Sequence, residues 1–546
     1  MLDVNSLSVE YKNSQQLALD SISFSAKSGE LIVISGPSGS GKSTLAKTIL
    51  GLIPAFENAN IEGEILFKEQ NLFSLNRKDR IELMGYVPQY PSDFTTSLLV
   101  EEEIVFKLEN LGIEPKKILK LLKEIISLLE IEELQERLIT ELSSGELQRV
   151  SLASALAYLP PILILDEPVA RIDPKAEVEI TRILKEIASH GHLVLVFEHR
   201  LDYMLSVADR LIILDKGRIT SDGDPRKNLS LLSKIDPPEV SILKLPGNKT
   251  NFLTIEAALE SFSPDVEKII DHLDTSSETM SFEIEPAILE CKNISFKYSR
   301  NSNTILNNIS FSVPKGQVVG LMGINGSGKS TLFKLISGVL KPSSGSITIS
   351  GKKINSARKA GKELVYIPEN AKLFLVGPTP LRDLDKIWKD ENKAKNFYSK
   401  LGLTSLMNKK LYHLSEGQRR LFAIINAFQL DDKIILLDEP TIALDRNGRN
   451  MLQKFLLKAK DENKIVLIAS NDPRVFPYFD RIIVLKDNQI LYDDIPRNVL
   501  YNLEENTDLI PNQVVRFVQL LKNKKNIQLP HFISVEEINN QLGGEK

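Results

Sequence analysis

The sequence predicts an α/β protein in which the same architecture occurs twice in tandem. A glycine-rich segment, GPSGSGKST over Gly36–Thr44, returns as GINGSGKST over Gly323–Thr331. The segment ILILDEP over Ile162–Pro168 returns as IILLDEP over Ile434–Pro440. In both copies, apolar runs of strand length alternate with helical patterns, which is typical of a mainly parallel sheet covered by helices. A duplicated α/β core therefore accounts for the order of the motifs.

A third repeated motif sets the register of the two copies. LSSGE at Leu142–Glu146 returns as LSEGQ at Leu414–Gln418, with the same offset in numbering as the two DEP motifs. The offset between the glycine-rich segments is larger, so the second copy is shorter between its first two motifs.

The elements within each copy follow one order. Each copy opens with strand-like alternation, over Leu7–Tyr11 and Ile294–Tyr298. A short apolar strand then leads into each glycine-rich segment, and a helical pattern follows it; these segments are Leu31–Ser35 and Leu45–Leu52, then Val318–Met322 and Leu332–Leu340. A charged helical pattern comes next, clearest over Leu108–Leu142, and predicts a helical subdomain inserted in each α/β core.

A second, weaker repeat follows each core. PPEV and FLTIEAAL after the first core resemble IPNQV and FISVEEI after the second, which predicts a small appendage at the end of each half. Residues 250–286 are rich in Asp and Glu and contain one Lys, so we expect an acidic linker there. The predicted domains are a first core at 1–224, its appendage and the linker at 225–285, a second core at 286–496 and its appendage at 497–546.

The composition excludes several classes of protein. Of 546 residues, 42% are apolar and 26% charged, which excludes a disordered, collagen-like or low-complexity chain. The net charge of −4 argues against bulk attraction to nucleic acid but leaves a local basic patch open. The single cysteine, Cys291, excludes an internal disulfide, a four-cysteine zinc site and a cysteine-ligated iron–sulfur cluster, and it suits a reducing compartment.

The sequence contains no signal for membrane insertion. No stretch reaches the roughly 18 apolar residues of a membrane span, and Met1–Lys12 lacks the basic-then-apolar pattern of a secretory signal. We therefore expect a cytoplasmic chain that is held at the cell membrane only peripherally, through partner subunits.

Both glycine-rich segments match G-x-x-x-x-G-K-[ST] between a strand and a helix. In this motif, backbone N–H groups turn inward around phosphate oxygens, and the helix N-terminus adds the positive end of its dipole. We expect Lys42 and Lys329 to reach the β- and γ-phosphates of ATP, and Ser43 and Ser330 to ligate Mg²⁺. The full set of predicted phosphate-binding residues is Gly36, Ser38, Gly39, Gly41, Lys42, Ser43 and Thr44, with Gly323, Asn325, Gly326, Gly328, Lys329, Ser330 and Thr331 in the second copy.

The two DEP motifs are buried strands that end in paired carboxylates. Asp166 and Asp438 are predicted to face the Mg²⁺ shell. Glu167 and Glu439 are predicted to polarise the water that attacks the γ-phosphate in an in-line transfer.

The glycine-rich segments are Walker A motifs, and the DEP motifs end Walker B strands. Together with LSSGE and LSEGQ between them, they make the chain resemble the ATP-binding cassette (ABC) ATPases over nearly its whole length. In that family two cassettes pack head to tail, and each nucleotide lies between the Walker motifs of one cassette and the signature of the other. The resemblance implies signature contacts from Ser143, Gly145, Ser415 and Gly417. Both copies depart from LSGGQ at its third position, with Ser144 and Glu416, and Glu146 replaces the glutamine in the first copy. Each motif also reads as a helix capping box.

Further positions follow from the resemblance, one at a time. Tyr11 and Tyr298 stand where an aromatic ring stacks on adenine, although either could be an ordinary strand tyrosine. Gln89 fits the Q-loop glutamine that bridges Mg²⁺, the attacking water and the helical subdomain. His199 fits the switch histidine that contacts the γ-phosphate. Asp173 and Asp445 fit the D-loop aspartates.

The second copy departs from the family at two of these positions. Glu369 replaces Gln89, and Asn471 replaces His199. The glutamate can still ligate Mg²⁺ but adds negative charge, and the asparagine has no titratable imidazole. Head-to-tail pairing would join Lys42, Gln89, Glu167, His199 and LSEGQ in site one, and Lys329, Glu369, Glu439, Asn471 and LSSGE in site two. We expect site one to hydrolyse ATP quickly, and site two mainly to hold ATP.

Three features indicate a branch of the family. Residues Pro91–Ile113 resemble the Q-loop region of the ATPases of energy-coupling factor (ECF) transporters, which import vitamins and transition-metal ions. The run FEHRLD over Phe197–Asp202 and the paired PPEV and FLTIEAAL elements also resemble the fused tandem ATPases of that group. The second copy offers a looser match over Glu369–Leu384. The resemblance implies that a groove beside each Q-loop receives a coupling helix of a transmembrane scaffold subunit, and that a separate membrane subunit binds the substrate.

Two other functions compete with this interpretation. A soluble tandem ABC translation factor would carry a basic linker, whereas the linker here is acidic and interrupted by prolines, which repels RNA, so no nucleic-acid partner is expected. The tandem ATPase of a sugar-type importer usually has a degraded second Walker A, whereas GINGSGKST is intact. The transported molecule is not encoded in this chain, because in this architecture the ATPase does not touch it.

Overall fold

The computed structural model divides the chain into two compact units. Unit 1 contains Met1–Leu243 and Lys249–Ala258, and unit 2 contains Lys244–Asn248 and Leu259–Lys546. The structure describes residues 1–12, 16–225, 237–245, 252–262, 286–299, 302–370, 374–431, 433–503, 507 and 509–542. Most of the predicted acidic linker lies outside the described residues, and the predicted domain boundaries stay predictions.

Unit 1 contains a six-stranded and a four-stranded sheet. Its strands are β1 (Leu2–Tyr11), β2 (Leu17–Ala26), β3 (Leu31–Ser35), β4 (Ala59–Phe67), β5 (Gln70–Asn71), β6 (Met84–Val87), β7 (Ile162–Asp166), β8 (Leu193–Phe197), β9 (Arg210–Asp215) and β10 (Arg218–Gly223). The six-stranded order is β10-β9-β3-β8-β7-β6, parallel except for β10. The four-stranded sheet, β2-β1-β4-β5, is antiparallel.

The core of unit 1 lies on both faces of the parallel sheet. Strand β3 is buried along its whole length, so its residues form the continuous apolar run that is typical of a central parallel strand. Leu31 and Val33 pack into the cluster on one face, and Ile32 and Ile34 pack into the cluster on the other. Because β3, β7 and β8 are parallel neighbours, their carboxyl ends lie at the same edge of the sheet. The predicted site residues follow these strand ends.

The helices of unit 1 confirm the inserted helical subdomain. They are α1 (Lys42–Leu50), α2 (Leu52–Ala55), α3 (Arg77–Leu83), α4 (Val100–Asn110), α5 (Pro115–Leu128), α6 (Ser144–Leu156), α7 (Pro174–Ser189) and α8 (Met204–Val207). Helices α4, α5 and α6 pack together between β6 and β7. Helix α5 buries one apolar face, which includes Leu121, Leu122 and Ile125.

Unit 2 repeats both sheets. Its strands are β11 (Ala287–Phe296), β12 (Leu306–Pro314), β13 (Val318–Met322), β14 (Ser344–Ile349), β15 (Lys352–Lys353), β16 (Leu364–Ile367), β17 (Ile434–Asp438), β18 (Val466–Ala469), β19 (Arg481–Lys486) and β20 (Gln489–Asp494). The order β16-β17-β18-β13-β19-β20 matches that of unit 1, again with only the last strand antiparallel. The antiparallel sheet is β12-β11-β14-β15.

The remaining helices include three, α16 to α18 below, that lie wholly or almost wholly in the predicted second appendage. Helix α9 (Ile255–Ser261) lies at the division between the units. The others are α10 (Lys329–Ile336), α11 (Ala357–Glu363), α12 (Pro380–Trp388), α13 (Glu391–Lys400), α14 (Glu416–Phe428), α15 (Arg446–Asp461), α16 (Pro496–Tyr501), α17 (Gln513–Lys525) and α18 (Val535–Leu542). Within the described part of the chain, no helix has the length and apolar character needed to cross a bilayer.

Candidate nucleotide-binding and hydrolysis sites

The glycine-rich loop of unit 1 needs its glycines for close packing. Strand β3 ends at Ser35, and α1 begins directly after Gly41, whose φ of 105° is unfavourable for other residues. A Cβ atom at Gly36 would lie 2.1 Å from the Leu214 carbonyl oxygen. Lys42 is 8% exposed, and its Nζ donates to the Gly36 carbonyl at 2.6 Å. The lysine therefore contacts the loop with which it is predicted to bind phosphate.

Unit 2 reproduces this loop. Gly328 precedes α10 with a φ of 99°, and Lys329 Nζ donates to the Gly323 carbonyl at 2.6 Å. The other predicted phosphate-binding residues lie in the turn before each helix or in its first turn; they are Ser38, Gly39, Ser43 and Thr44, with Asn325, Gly326, Ser330 and Thr331. Both loops thus have the strand–turn–helix context that phosphate binding requires.

The structure places each predicted adenine-stacking tyrosine beside its glycine-rich loop. The Tyr11 hydroxyl lies 3.2 Å from Thr44 Oγ1, and the Tyr298 hydroxyl lies 3.1 Å from Thr331 Oγ1. Stacking on adenine remains a prediction.

A kinked backbone follows each Walker B strand. Glu167 and Glu439 have φ values of 49° and 45°, a strained conformation for residues other than glycine. The N–H group of Glu167 donates to the Phe197 carbonyl at 2.8 Å, and that of Glu439 donates to the Ala469 carbonyl at 2.8 Å. Each kink is therefore tied to the neighbouring strand, which holds the glutamate at the carboxyl edge of the sheet.

The glutamate of unit 1 is held as a carboxylate. Gln89 Nε2 donates to Glu167 Oε2 at 2.6 Å, and His199 Nδ1 lies 3.5 Å from Glu167 Oε1. Burial raises the pKa of Glu167, but His199, Lys42 and the hydrogen bond from Gln89 outweigh burial, so the pKa lies below its usual value. His199 is 5% exposed, and its Nε2 has no hydrogen-bond partner among the described residues.

The glutamate of unit 2 has a different environment. Burial, together with Asp438 and Glu369, raises the pKa of Glu439 to about 7, although Lys329 Nζ lies 3.9 Å from its Oε1 and opposes the shift. Asn471 Oδ1 accepts a hydrogen bond from the Gly323 N–H at 3.3 Å, a contact to the glycine-rich loop. The substitutions at Glu369 and Asn471 are thus accompanied by a more readily protonated glutamate.

The Walker B aspartate of unit 2 has the donor chemistry of a magnesium site. Ser330 Oγ donates to Asp438 Oδ1 at 3.0 Å, and the Tyr366 hydroxyl donates to Asp438 Oδ2 at 3.0 Å. Burial raises the pKa of Asp438, and burial with the charge of Glu167 raises that of Asp166 to about 7. A hard dication suits a hydroxyl beside a carboxylate and, when bound, neutralises charge on the phosphate oxygens. Ser43, Gln89 and Glu369 remain predicted ligands.

Both signature motifs cap their helices as the sequence predicts. Ser143 Oγ accepts from the Glu146 N–H, and Glu146 Oε2 accepts from the Ser143 N–H. Ser415 and Gln418 make the same reciprocal pair at the start of α14. The predicted D-loop aspartates also cap helices, because Asp173 accepts from Ala176 N at the start of α7, and Asp445 accepts from Gly448 N at the start of α15.

The two signature glycines differ in their surroundings. A Cβ atom at Gly417 would lie 2.0 Å from the Ala443 carbonyl oxygen, whereas one at Gly145 would lie 3.0 Å from the Ala176 Cβ. Gly417 therefore has no space for a side chain, and Gly145 has little. The signature that faces each nucleotide remains a prediction.

Glu198 was missed by the sequence-based reasoning. This fully buried carboxylate accepts the N–H groups of His199 at 2.7 Å and Arg200 at 3.0 Å, and its Oε1 lies 3.2 Å from His199 Nδ1. It therefore shapes the turn that carries the predicted switch histidine. The acidic residue directly before the histidine in FEHR was the available signal.

A buried ion pair beside each switch position was also missed. Arg200 lies 3.5 Å from Glu177 on α7, and in unit 2 Asp472 lies 3.7 Å from Arg449 on α15. The two pairs occupy equivalent positions of the two copies, with the charges exchanged. Both pairs join a switch loop to the helix after the D-loop. The two members of each pair lie far apart in sequence, so the pairing is recognised only from their contact in the folded chain.

The opposite pKa shifts of the two glutamates predict opposite pH effects on stability. Because the folded-state pKa of Glu439 is raised from 4.5, its carboxyl costs stability as the pH rises through about 5 to 7. Glu439→Gln removes this cost, so the variant should gain up to about 3 kcal/mol relative to the wild type between pH 5 and pH 8. The pKa of Glu167 is lowered below 4.5, so Glu167→Gln should instead lose relative stability as the pH rises towards about 4.5, and should show no further change between pH 5 and pH 8. Urea unfolding without nucleotide or divalent metal measures both trends, and parallel trends would contradict the assignment.

Comparison with known proteins agrees with this arrangement. The family model described as ABC transporter matches residues 19–170 and 306–442, one segment in each unit. A relative from Clostridium perfringens, provisionally named an ABC transporter ATP-binding protein, is 30% identical over 532 residues and covers 92% of each chain. A Bacillus subtilis relative, provisionally named the HMP/thiamine import ATP-binding protein YkoD, is 30% identical and covers 91% of this chain and 92% of its own.

Solved structures share the tandem fold. The archaeal ribosome recycling factor aABCE1, solved with the ribosomal stalk protein aP1, has a TM-score of 0.57 over 95% of this chain and 98% of its own. Its 20% identity supports a shared fold alone. The two matched segments and the 30% identity over nearly the full length show that this chain belongs to the ABC transporter family, as a tandem ATP-binding cassette ATPase.

Proposed function

We propose that this chain is the ATP-hydrolysing motor subunit of an ECF-type membrane importer of a vitamin or metal ion. The observation that carries the proposal is that, in the described residues after each Q-loop, a buried carboxylate holds backbone N–H groups beside an exposed apolar side chain. The Bacillus subtilis relative, whose provisional name assigns it to thiamine import, supports a vitamin as the cargo class.

The segment after the first Q-loop suits docking by a coupling helix. The buried carboxylate of Glu103 accepts the N–H groups of Thr96 at 2.8 Å and Ser97 at 3.0 Å, which fixes the loop. Phe94 is 58% exposed and Leu98 is 72% exposed. Apolar side chains on a fixed loop are typical of a protein–protein contact, and we assign this one to the transmembrane scaffold subunit.

The second Q-loop is followed by a related arrangement. Asp383 accepts the Gly377 N–H at 2.6 Å, and the neighbouring Val376 is 76% exposed. Each cassette would therefore offer one docking surface, and a movement of the cassettes would move both coupling helices. The scaffold would then reorient the membrane subunit that binds the substrate.

Hydrolysis is assigned mainly to site one. Glu167 would accept the proton of the water whose oxygen attacks the γ-phosphorus, while the bond to the β–γ bridging oxygen breaks and ADP and phosphate leave. Gln89 and His199 would hold Glu167 for this step, and His199 Nε2 would donate to the γ-phosphate. Lys42 would exchange its bond with the loop carbonyl for phosphate oxygens. Site two, with Glu439, would mainly hold ATP.

A pull-down from the native cell type tests the transport proposal. A tagged Glu167→Gln chain, which should retain ATP, is extracted with detergent, and the co-purifying proteins are identified by mass spectrometry. Small hydrophobic membrane proteins in stoichiometric amount are expected, and their identity would narrow the cargo. Ribosomal proteins with an empty membrane fraction would overturn the proposal and favour a translation factor.

Surface variants test the docking segments in the same experiment. Leu98→Asp with Val376→Asp should abolish recovery of the membrane proteins and leave ATP hydrolysis by the purified chain unchanged, because both side chains are exposed. Phe56→Ser is the matched control, since Phe56 is 70% exposed in unit 1 but lies outside these segments. Equal recovery with all variants would exclude these loops as the docking surfaces.

A further inference from the structure

A buried arginine in unit 2 joins three parts of the catalytic machinery. Arg420 lies on α14 and is 1% exposed. Its guanidinium donates to the backbone carbonyl of Glu439 and to that of Glu369, and its Nη2 lies 3.3 Å from Glu416 Oε1. One side chain thus contacts the turn after Walker B, the Q-loop and the signature motif of the same unit.

The corresponding position in unit 1 is uncharged. When the two signature motifs are aligned, Gln148 corresponds to Arg420, and Ser144 corresponds to Glu416. Gln148 is buried, and its Nε2 has no hydrogen-bond partner among the described residues. In each copy the two positions lie one turn apart on one helix face, and the chain carries Ser with Gln in one copy and Glu with Arg in the other.

The charges at these two positions depend on each other. A buried guanidinium without a counter-charge is strongly unfavourable, and so is a buried carboxylate that has lost its partner. Glu416 and Arg420 have side chains that are 15% and 2% exposed, so water cannot replace either partner. The glutamate that departs from the signature consensus is therefore explained by the arginine one helical turn later.

The guanidinium also has a shape that a simple cation lacks. Its planar fork reaches two carbonyl oxygens and a carboxylate at once, whereas a lysine ammonium would act as a point charge. One carbonyl belongs to Glu369, which replaces the Q-loop glutamine in site two. The other belongs to Glu439, which ends the Walker B motif of that site. A shift of either turn would therefore be transmitted to α14, which begins at the signature.

We propose that Arg420 is a positioning residue that couples the Q-loop and Walker B turns of site two to the signature helix of the same cassette, with Glu416 as its counter-charge. The inference rests on the proposed function where it assigns that signature to site one. Under that pairing, nucleotide held in site two would set the position of the signature that completes the hydrolysing site.

Three variants separate coupling from structural support. Arg420→Gln and Glu416→Ser should each lower the melting temperature, because each removes one charge of a largely buried ion pair. The double variant recreates the Ser and Gln of cassette 1 and should recover the melting temperature. Its kcat should nevertheless remain at least about fivefold below that of the wild type, with a smaller change in KM. Recovery of kcat together with the melting temperature would overturn the proposal, as would full kcat in both single variants.

A conservative variant and a second background complete the test. Arg420→Lys keeps the ion pair but not the two-carbonyl bridge, so its kcat should resemble that of the double variant; wild-type kcat would overturn the bridging role. Lys458→Gln removes an exposed charge on α15 and is the control; it should change neither kcat nor the melting temperature.

The kcat loss of the double variant should persist when Glu439→Gln removes hydrolysis at site two. If the loss disappears in the Glu439→Gln background, the link to site one is overturned. These outcomes do not depend on which membrane proteins co-purify. Failure of the transport proposal can therefore be distinguished from failure of the role proposed for Arg420.

Discussion

Glu167→Gln is expected to lower the steady-state ATPase rate of the chain by about 100-fold or more, the usual size of a lost general base. Glu439→Gln is expected to lower it only slightly. The physical reason is the surroundings of the two carboxyls. Gln89 and His199 lie against Glu167, and its pKa is lowered. In unit 2, Glu369 and Asn471 stand at those two positions, and the pKa of Glu439 is raised to about 7.

The measurement is phosphate release at saturating ATP, with binding of labelled ATP as the control that each variant still holds nucleotide. The two substitutions are matched, since each replaces a carboxylate by its amide at the equivalent position of its DEP motif. Equal losses of activity would contradict the proposed division into a fast and a slow site.

Gly417→Ala is expected to have the next largest effect, a loss of about 100-fold in ATPase rate, comparable to removal of a directed hydrogen-bond donor at a reacting centre. Its new methyl group would lie 2.0 Å from the Ala443 carbonyl oxygen, so the backbone of the signature must move. Gly145→Ala meets only the Ala176 methyl group, at 3.0 Å, and should cost much less. The comparison also tests the pairing, because the signature with Gly417 is assigned to site one.

A double-variant experiment identifies the site that the second signature serves. In a Glu167→Gln chain, the residual ATPase comes from site two, so adding Gly417→Ala should lower the residual rate by a much smaller factor than it lowers the rate of the wild-type chain. Equal factors in the two backgrounds would contradict the head-to-tail assignment. Circular dichroism of each variant is the control for folding.

Much of the fold could be predicted because its signals are local. Strand β3 reads as a continuous apolar run because both of its faces are buried, and the glycines after it are required by contacts of the turn itself. The helical subdomain was also predicted correctly, but its helical pattern was extended too far. Among residues 129–142 the helical elements are two short 3₁₀ turns, Glu132–Leu134 and Ile139–Glu141, and Ile131, Leu134 and Ile139 are buried there without forming an α-helix. Sequence spacing alone does not distinguish such a packed loop from a helix.

The sequence by itself determined the duplication and the family, because each motif is short and carries its own backbone requirements, and it predicts the residues of both sites. The tertiary structure decided the electrostatics of those residues. Two identical DEP motifs acquire glutamates with opposite pKa shifts, because their neighbours come from the Q-loop and switch positions, far away in sequence. The bridge made by Arg420 and the exchanged ion pairs have the same origin. Charge interactions depend on distances and burial that only the folded chain establishes.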